Sequence, residues 1–155
     1  MCNYYGDIRL SPELPIYVAA QHTDGGAGKS KLMHHHPEGQ MYVPAQGVIL
    51  VEAGGNRQVL PPGRLGWIPP YMPHSASTHG NTLRPGLAGY TIHIAPSLCV
   101  GLPEQSLALR MSPLAMSLLE RMCRWPNGSP TDAAGLRLMN VFLDEIRSAE
   151  PDPLH

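Results

Sequence analysis

Charge is scarce in this chain. Only 15% of its 155 residues are Asp, Glu, Lys or Arg, and 11 basic against 12 acidic side chains leave a net charge of −1. Phosphate affinity needs clustered Lys and Arg, so these residues are not expected to bind nucleic acid by themselves. Cysteine is sparse too. Cys2, Cys99 and Cys123 are odd in number and widely spaced, with no C-x-x-C pair. That argues against a disulfide framework or a thiolate zinc site, and each thiol reads as buried or incidental. Long apolar runs are missing: stretches such as Gly47 to Val51 are far too short to span a bilayer. The opening "MCNYYGDIRL" lacks the basic region and apolar stretch of a signal peptide. A cytoplasmic protein without a membrane partner is expected. There are no internal repeats and no glycine-rich phosphate loop.

What is present is a folding composition. Hydrophobic content of 43% and a length of 155 residues suit one domain with a real core. The 17 prolines and 16 glycines punctuate residues 1–105 every few positions, then thin out and cluster at "PNGSP" (126–130). Many short strands are expected first and helices afterwards. Strand-like runs fall at Ile16–Ala20, Lys31–His36, Gln40–Val43, Gly47–Ala53, Arg57–Leu60, Arg64–Ile68, His74–Thr78 and Leu87–Ile94. "VILVEAGGNRQVL" reads as a hairpin, because Gly54 and Gly55 can take positive φ. About eight strands with regular turns suggest an all-β sandwich or barrel.

Two helices are expected over 112–125 and 131–148. The first opens on Ser112 as N-cap and Pro113 at the first helical position. Leu114, Leu118, Met122 and Trp125 give it an apolar stripe, widened by Ala115 and Leu119. Leu136, Met139, Phe142 (or Leu143) and Ile146 do the same for the second, with Leu138 among the apolar positions left to face outward. The pair is not a helix-turn-helix. Its connection "WPNGSPT" is long and twice broken by proline, and the second helix sets only Arg137 and Arg147 against Asp132, Asp144 and Glu145.

The stretch "LMHHHPEGQMYVPAQG" (32–47) carries the chemistry. Side chains alternate along a strand, so His34 and His36 share a face and His35 takes the other. Two imidazoles converging from one face are a common way to hold a transition metal. Gln40 lies four residues beyond His36, past the turn at Pro37–Gly39. His74, on a distant strand, is a fourth candidate. His79 and His93 have no such partner pattern and read as ordinary surface or core histidines. No general acid or base with a defined partner stands out, so no catalytic residue is assigned.

The spacing resembles that of the cupin family. Its first motif, G-x5-H-x-H-x3-E-x6-G, is similar to Gly28, His34, His36, Gln40 and Gly47. Its second, G-x5-P-x-G-x2-H-x3-N, is similar to Gly63, Pro69, Tyr71, His74 and Thr78. Gln40 replaces the acidic ligand, and Tyr71 replaces a glycine beside the site. The resemblance narrows further. H-x-H-x-x-G-Q, P-P-G-x-x-x-W-I-P-P and P-H, in this order, resemble one branch of the sensor domains of AraC/XylS-type transcription regulators, over roughly residues 15–155.

The resemblance implies a mainly β fold, a double-stranded β-helix over about residues 8–95, followed by two C-terminal helices. It implies a cupin sensor domain at 1–105, a two-helix dimerisation appendix at 106–150 and the start of a linker at 151–155. His34, His36, Gln40 and His74 would hold one divalent ion, with Tyr71 at the rim of a ligand pocket. Three neutral imidazoles and a neutral amide favour nickel, copper or zinc over magnesium or calcium. The expected partners are a second copy of the chain and a metal or small-molecule effector. DNA is expected only through a helix-turn-helix half that is not among these residues. The alternative is a stand-alone metal-dependent cupin enzyme of dioxygenase or isomerase type. A metal-free effector pocket is a third reading on the same fold.

Overall fold

A computed structural model of the protein describes residues 10–11, 13–25, 32–80 and 83–152. Cys2, Gly28, Lys31 and His155 lie outside the described residues. Eight strands are present among them: β1 (Ile16–Thr23), β2 (Gly39–Pro44), β3 (Val48–Ala53), β4 (Asn56–Leu60), β5 (Arg64–Ile68), β6 (His74–His79), β7 (Gly86–Ile94) and β8 (Leu107–Arg110). Two α-helices follow, α1 (Pro113–Met122) and α2 (Ala133–Arg147). The strands form two antiparallel sheets, one ordered β1-β7-β2-β5-β8 and the other β4-β3-β6. The mainly β architecture with two trailing helices is the one expected.

Alternation along the strands sorts the core into two layers. One face of the larger sheet supplies Ile16, Val18, Met41, Val43, Leu65, Trp67, Tyr90, Ile92, Ile94 and Leu109. These pack with Leu118, Leu119 and Met122 of α1 and Met139, Phe142, Leu143 and Ile146 of α2. The opposite face turns Tyr42, Ile68 and Ala108 toward Ile49, Val51, Ala53 and Leu60 of the smaller sheet. Both faces of β2 are therefore covered, and all six of its residues are buried. Emptying a site as large as Phe142 to Ala costs ~3–5 kcal/mol in a core of this kind.

Turn chemistry sets the strand ends. Gly54 and Gly55 take φ of 55° and 80°, which a two-residue hairpin between β3 and β4 requires. Gly39 opens β2 where no side chain fits, since a Cβ there would stand 2.5 Å from the Trp67 ring. Trp67 is fully buried and donates from Nε1 to the Pro103 carbonyl at 2.7 Å, which makes it a packing residue. After α2 the chain returns to the barrel. Asp152 N donates to the Ala108 carbonyl at 2.8 Å, and the Asp152 carboxylate meets Arg64 Nε at 2.7 Å.

Four local differences have physical reasons. The strand β8 was not expected: "LALR" is only four residues long, and its place is set by pairing with β5. Within the described part of Lys31–His36, only His34 makes a β-bridge, to His74, so this stretch is a pinned loop. The helix α1 stops at Met122 because the chain turns toward Pro126, and its Leu114 is exposed. In α2 the buried stripe runs through Gly135, Met139, Phe142, Leu143 and Ile146. Gly135 lies so close to Pro130 that a Cβ would come within 2.8 Å. That approach rotates Leu136 and Val141 outward and half-buries Leu138 against the core.

Candidate functional site

The loop carrying His34 to His36 is sewn to the turn before β6. His34 N donates to the His74 carbonyl at 2.9 Å, and His74 N returns a bond to His34 at 2.8 Å. Tyr71 N donates to the His36 carbonyl at 2.8 Å. The turn "PPYMP" closes only because Tyr71 adopts φ of 65°, the left-handed region that favours glycine. A tyrosine thus holds a glycine's conformation, with its side chain exposed.

This stitching brings three imidazoles together. Ring centroids of His34 and His74 stand 4.3 Å apart, those of His36 and His74 4.9 Å, and those of His34 and His36 5.6 Å. One nitrogen from each ring lies within 4.8 Å of the others. Nitrogens bound to one ion at about 2.0–2.1 Å stand no more than about 4.2 Å apart, so that bound is only slightly wider than a coordinated set. Gln40, the second residue of β2, projects into the same place between His36 and His74. His74 and Gln40 are each 1% exposed, whereas His34 and His36 are half-buried.

The hydrogen bonds fix which nitrogens face inward. Nδ1 of His34 lies 2.8 Å from the Leu32 carbonyl, Nδ1 of His36 3.0 Å from that of Glu38, and Nδ1 of His74 2.7 Å from that of Met72. A carbonyl only accepts, so each Nδ1 carries the proton and donates it. In a neutral ring each Nε2 then keeps a lone pair. Nε2 of His36 and Nε2 of His74 approach Gln40 Oε1 at 3.0 and 2.9 Å. An amide oxygen has no proton to give. Three acceptors therefore meet, an arrangement settled by positive charge between them or by turning the Gln40 amide so that its NH2 donates to both rings. A backbone carbonyl behind each imidazole is the outer shell that metal-bound histidines usually have. The donor set thus fits a divalent transition metal.

His35 is exposed and stands apart from the cluster. His79 is also exposed and engages Ser77 Oγ at 2.8 Å. His93 is different. It is 3% exposed, pairs with Gln40 across β7 and β2, and its ring centroid is 5.2 Å from that of His36. Sequence reasoning placed it as an ordinary histidine. The available signal was the alternation of β7, which sends His93 to the face opposite Ile92 and Ile94. Glu38 also went unnoticed; its carboxylate lies 3.7 Å from His36 Nδ1, behind the ring. The thiols stay outside the chemistry. Burial pushes Cys99 up to about 11, and burial aided by the nearby Glu120 charge pushes Cys123 to about 11.

The family model of the AraC-like ligand binding domain matches residues 21–152. Among solved structures, the fold is similar to that of ToxT from Vibrio cholerae. The TM-score is 0.57 at 8% sequence identity, over 91% of this chain and 61% of that one. A second structure of ToxT, from Vibrio cholerae O395, gives 0.52 at 8% identity over 85% of this chain and 52% of that one. The chain therefore spans about three-fifths of the length of ToxT. A cupin protein from Bacteroides fragilis overlaps 68% of this chain and 92% of its own at 18% identity, with a TM-score of 0.43. Among curated proteins none matches the chain.

Proposed function

The chain belongs to the family of AraC-like ligand-binding domains, and from that premise we propose that it is the sensing part of a transcription regulator whose cupin barrel takes up one divalent transition-metal ion. His34, His36 and His74 hold the ion through Nε2, and Gln40 is the weaker fourth ligand through Oε1. One observation carries this reading: each of the three rings spends its Nδ1 on a backbone carbonyl, one nitrogen from each ring lies within 4.8 Å of the others, and Nε2 of His36 and of His74 meet at Gln40 Oε1. Bound there, a metal supplies positive charge and an attachment point for an effector. Softness and geometry favour copper, nickel or zinc.

The division of labour proposed is a sensor barrel at 1–105, a dimerising appendix at 106–150 and a linker from 151, whose first two residues, Pro151 and Asp152, are still tied to the barrel through Leu109, Ala108 and Arg64. The strand β8, at 107–110, remains part of the barrel sheet. Leu114, Leu136 and Val141 are exposed apolar residues on the two helices, which supports pairing with a second copy. DNA contact is assigned to residues outside these 155, in keeping with a net charge of −1. The proposed location is the cytoplasm; no helix among the described residues is long and apolar enough to cross a membrane. Catalysis is not part of the proposal. The carboxylate of Glu38 faces Nδ1 of His36 at 3.7 Å.

Equilibrium dialysis with elemental analysis tests the reading. About one nickel, copper or zinc ion per chain is expected for the wild type and none for a His34→Ala/His36→Ala/His74→Ala variant. Equal uptake by both proteins would refute the site.

A further inference from the structure

A second buried polar group lies between the two sheets, apart from the histidines. In β4, Gln58 shares a face with Leu60 and pairs with Val51 of β3, and both of those belong to the interior layer. Ser106 stands directly before β8, two residues from Ala108 of the same layer. Gln58 is 2% exposed and Ser106 6%. One bond joins them: Gln58 Nε2 donates to Ser106 Oγ at 3.3 Å. It crosses from an edge strand of the smaller sheet to the larger sheet.

That bond leaves the group incomplete. Gln58 Oε1 is buried and accepts no hydrogen bond among the described residues. The Ser106 hydroxyl accepts from Gln58, and its own proton is still to be placed. Turning the amide over does not mend this. Oε1 would then accept from the hydroxyl, and both amide protons would be left over. A buried amide oxygen without a donor bears the full cost of its lost hydration. Val51, Leu60, Ile68 and Ala108 of the surrounding layer have no side-chain donor to offer.

What completes the group is one partner that both accepts and donates. Ser106 gives that partner its proton, and the partner gives one to Gln58 Oε1. Water has this chemistry, and its size suits a place beside the short side chains of Ser106 and Ala108. A larger ligand would have to displace Val51, Leu60 or Ile68, each of them 0% exposed. We infer that Gln58 and Ser106 hold one internal water molecule, which completes a hydrogen-bonded link between β4 and the start of β8. The metal reading above neither supports this site nor depends on it.

Two measurements on the whole 155-residue chain test it. Oxygen-17 relaxation dispersion counts long-lived internal waters in solution. The wild type is expected to hold about one more than a Gln58→Met/Ser106→Ala variant. Both partners become apolar there at nearly unchanged shape, so the fold is kept. A crystal structure of the wild type should show an ordered water at about 2.5–3.0 Å from both Gln58 Oε1 and Ser106 Oγ. The crystal structure decides by itself if the variant does not fold. Equal water counts in the two folded proteins, or a crystal structure in which Gln58 Oε1 meets a protein donor instead of water, would overturn the inference.

Discussion

Gln40 stands where a carboxylate would be the simpler choice for a cation. An amide suits a site that works both with and without its ion. In the proposed site Oε1 would face the ion when it is bound, and without it the amide turned over would donate to His36 and His74. Gln40→Glu should therefore raise zinc affinity by at least about tenfold, a gain of ~1.4 kcal/mol, measured by chelator competition. The same change should lower the thermal midpoint of the stripped protein, because a carboxylate is then buried among ring lone pairs. Unchanged affinity would show that Gln40 is not a ligand. The resemblance of the spacing to the two cupin motifs put His34, His36, Gln40 and His74 together. The carbonyls of Leu32, Glu38 and Met72 behind the rings could not be read that way, because main-chain geometry in turns aims them. The positive φ of Tyr71 was equally hidden, because tyrosine is not a residue expected there. The thiols give a pH prediction. Burial moves Cys99 and Cys123 from an ordinary 9.0 up to about 11, so folding favours the neutral form. Their stabilisation is whole below about pH 9 and is lost as pH rises toward about 11. Thermal midpoints should fall over that window, and a Cys99→Ala/Cys123→Ala protein should show a shallower fall. Matching slopes would contradict the account.

At the scale of elements, α1 hangs on one residue more than its length suggests. The Ser112 hydroxyl accepts from Ala115 N at 3.0 Å and donates to Glu145 Oε1 on α2 at 2.8 Å. It caps one helix and ties it to the other. Ser112→Ala should cost ~1 kcal/mol for the cap, and urea unfolding would show it as a lower midpoint at unchanged slope. A difference within error would mean that neither the cap nor the tie to α2 contributes to stability. The cap, Pro113 and the part of the apolar stripe formed by Ala115, Leu118, Leu119 and Met122 were legible in the sequence, whereas Leu114 is exposed and Trp125 lies past the helix end. So were the strands bounded by glycine and proline, since period-two alternation and turn residues are local signals. The four-residue β8 was not, because pairing with β5 decides it. Nor was the loop at His34 to His36 distinguishable from a strand, since one bridge to His74 is all that fixes it. In α2, spacing placed Leu136 on the buried face, while the close approach of Gly135 to Pro130 put it on the other.

For the whole molecule, the helices cover the outer face of the larger sheet and leave Leu114, Leu136 and Val141 exposed. Leu138 is half-buried against the chain's own core, so replacing it would mix folding with assembly. Val141→Glu is the cleaner probe of pairing. Sedimentation should show a wild-type dimer at tens of micromolar and a Val141→Glu monomer, since an unpaired charge would enter the seam. A dimer that survives both Val141→Glu and Leu136→Glu would place the contact elsewhere. The central claim is that barrel and loop together hold a metal through three imidazoles and one amide oxygen. X-ray absorption of the zinc-loaded protein reads that donor set directly. The account predicts only nitrogen and oxygen neighbours at about 2.0–2.2 Å, with the outer-shell pattern of three imidazoles. Sulfur scatterers near about 2.3 Å, or a shell without imidazole features, would contradict it.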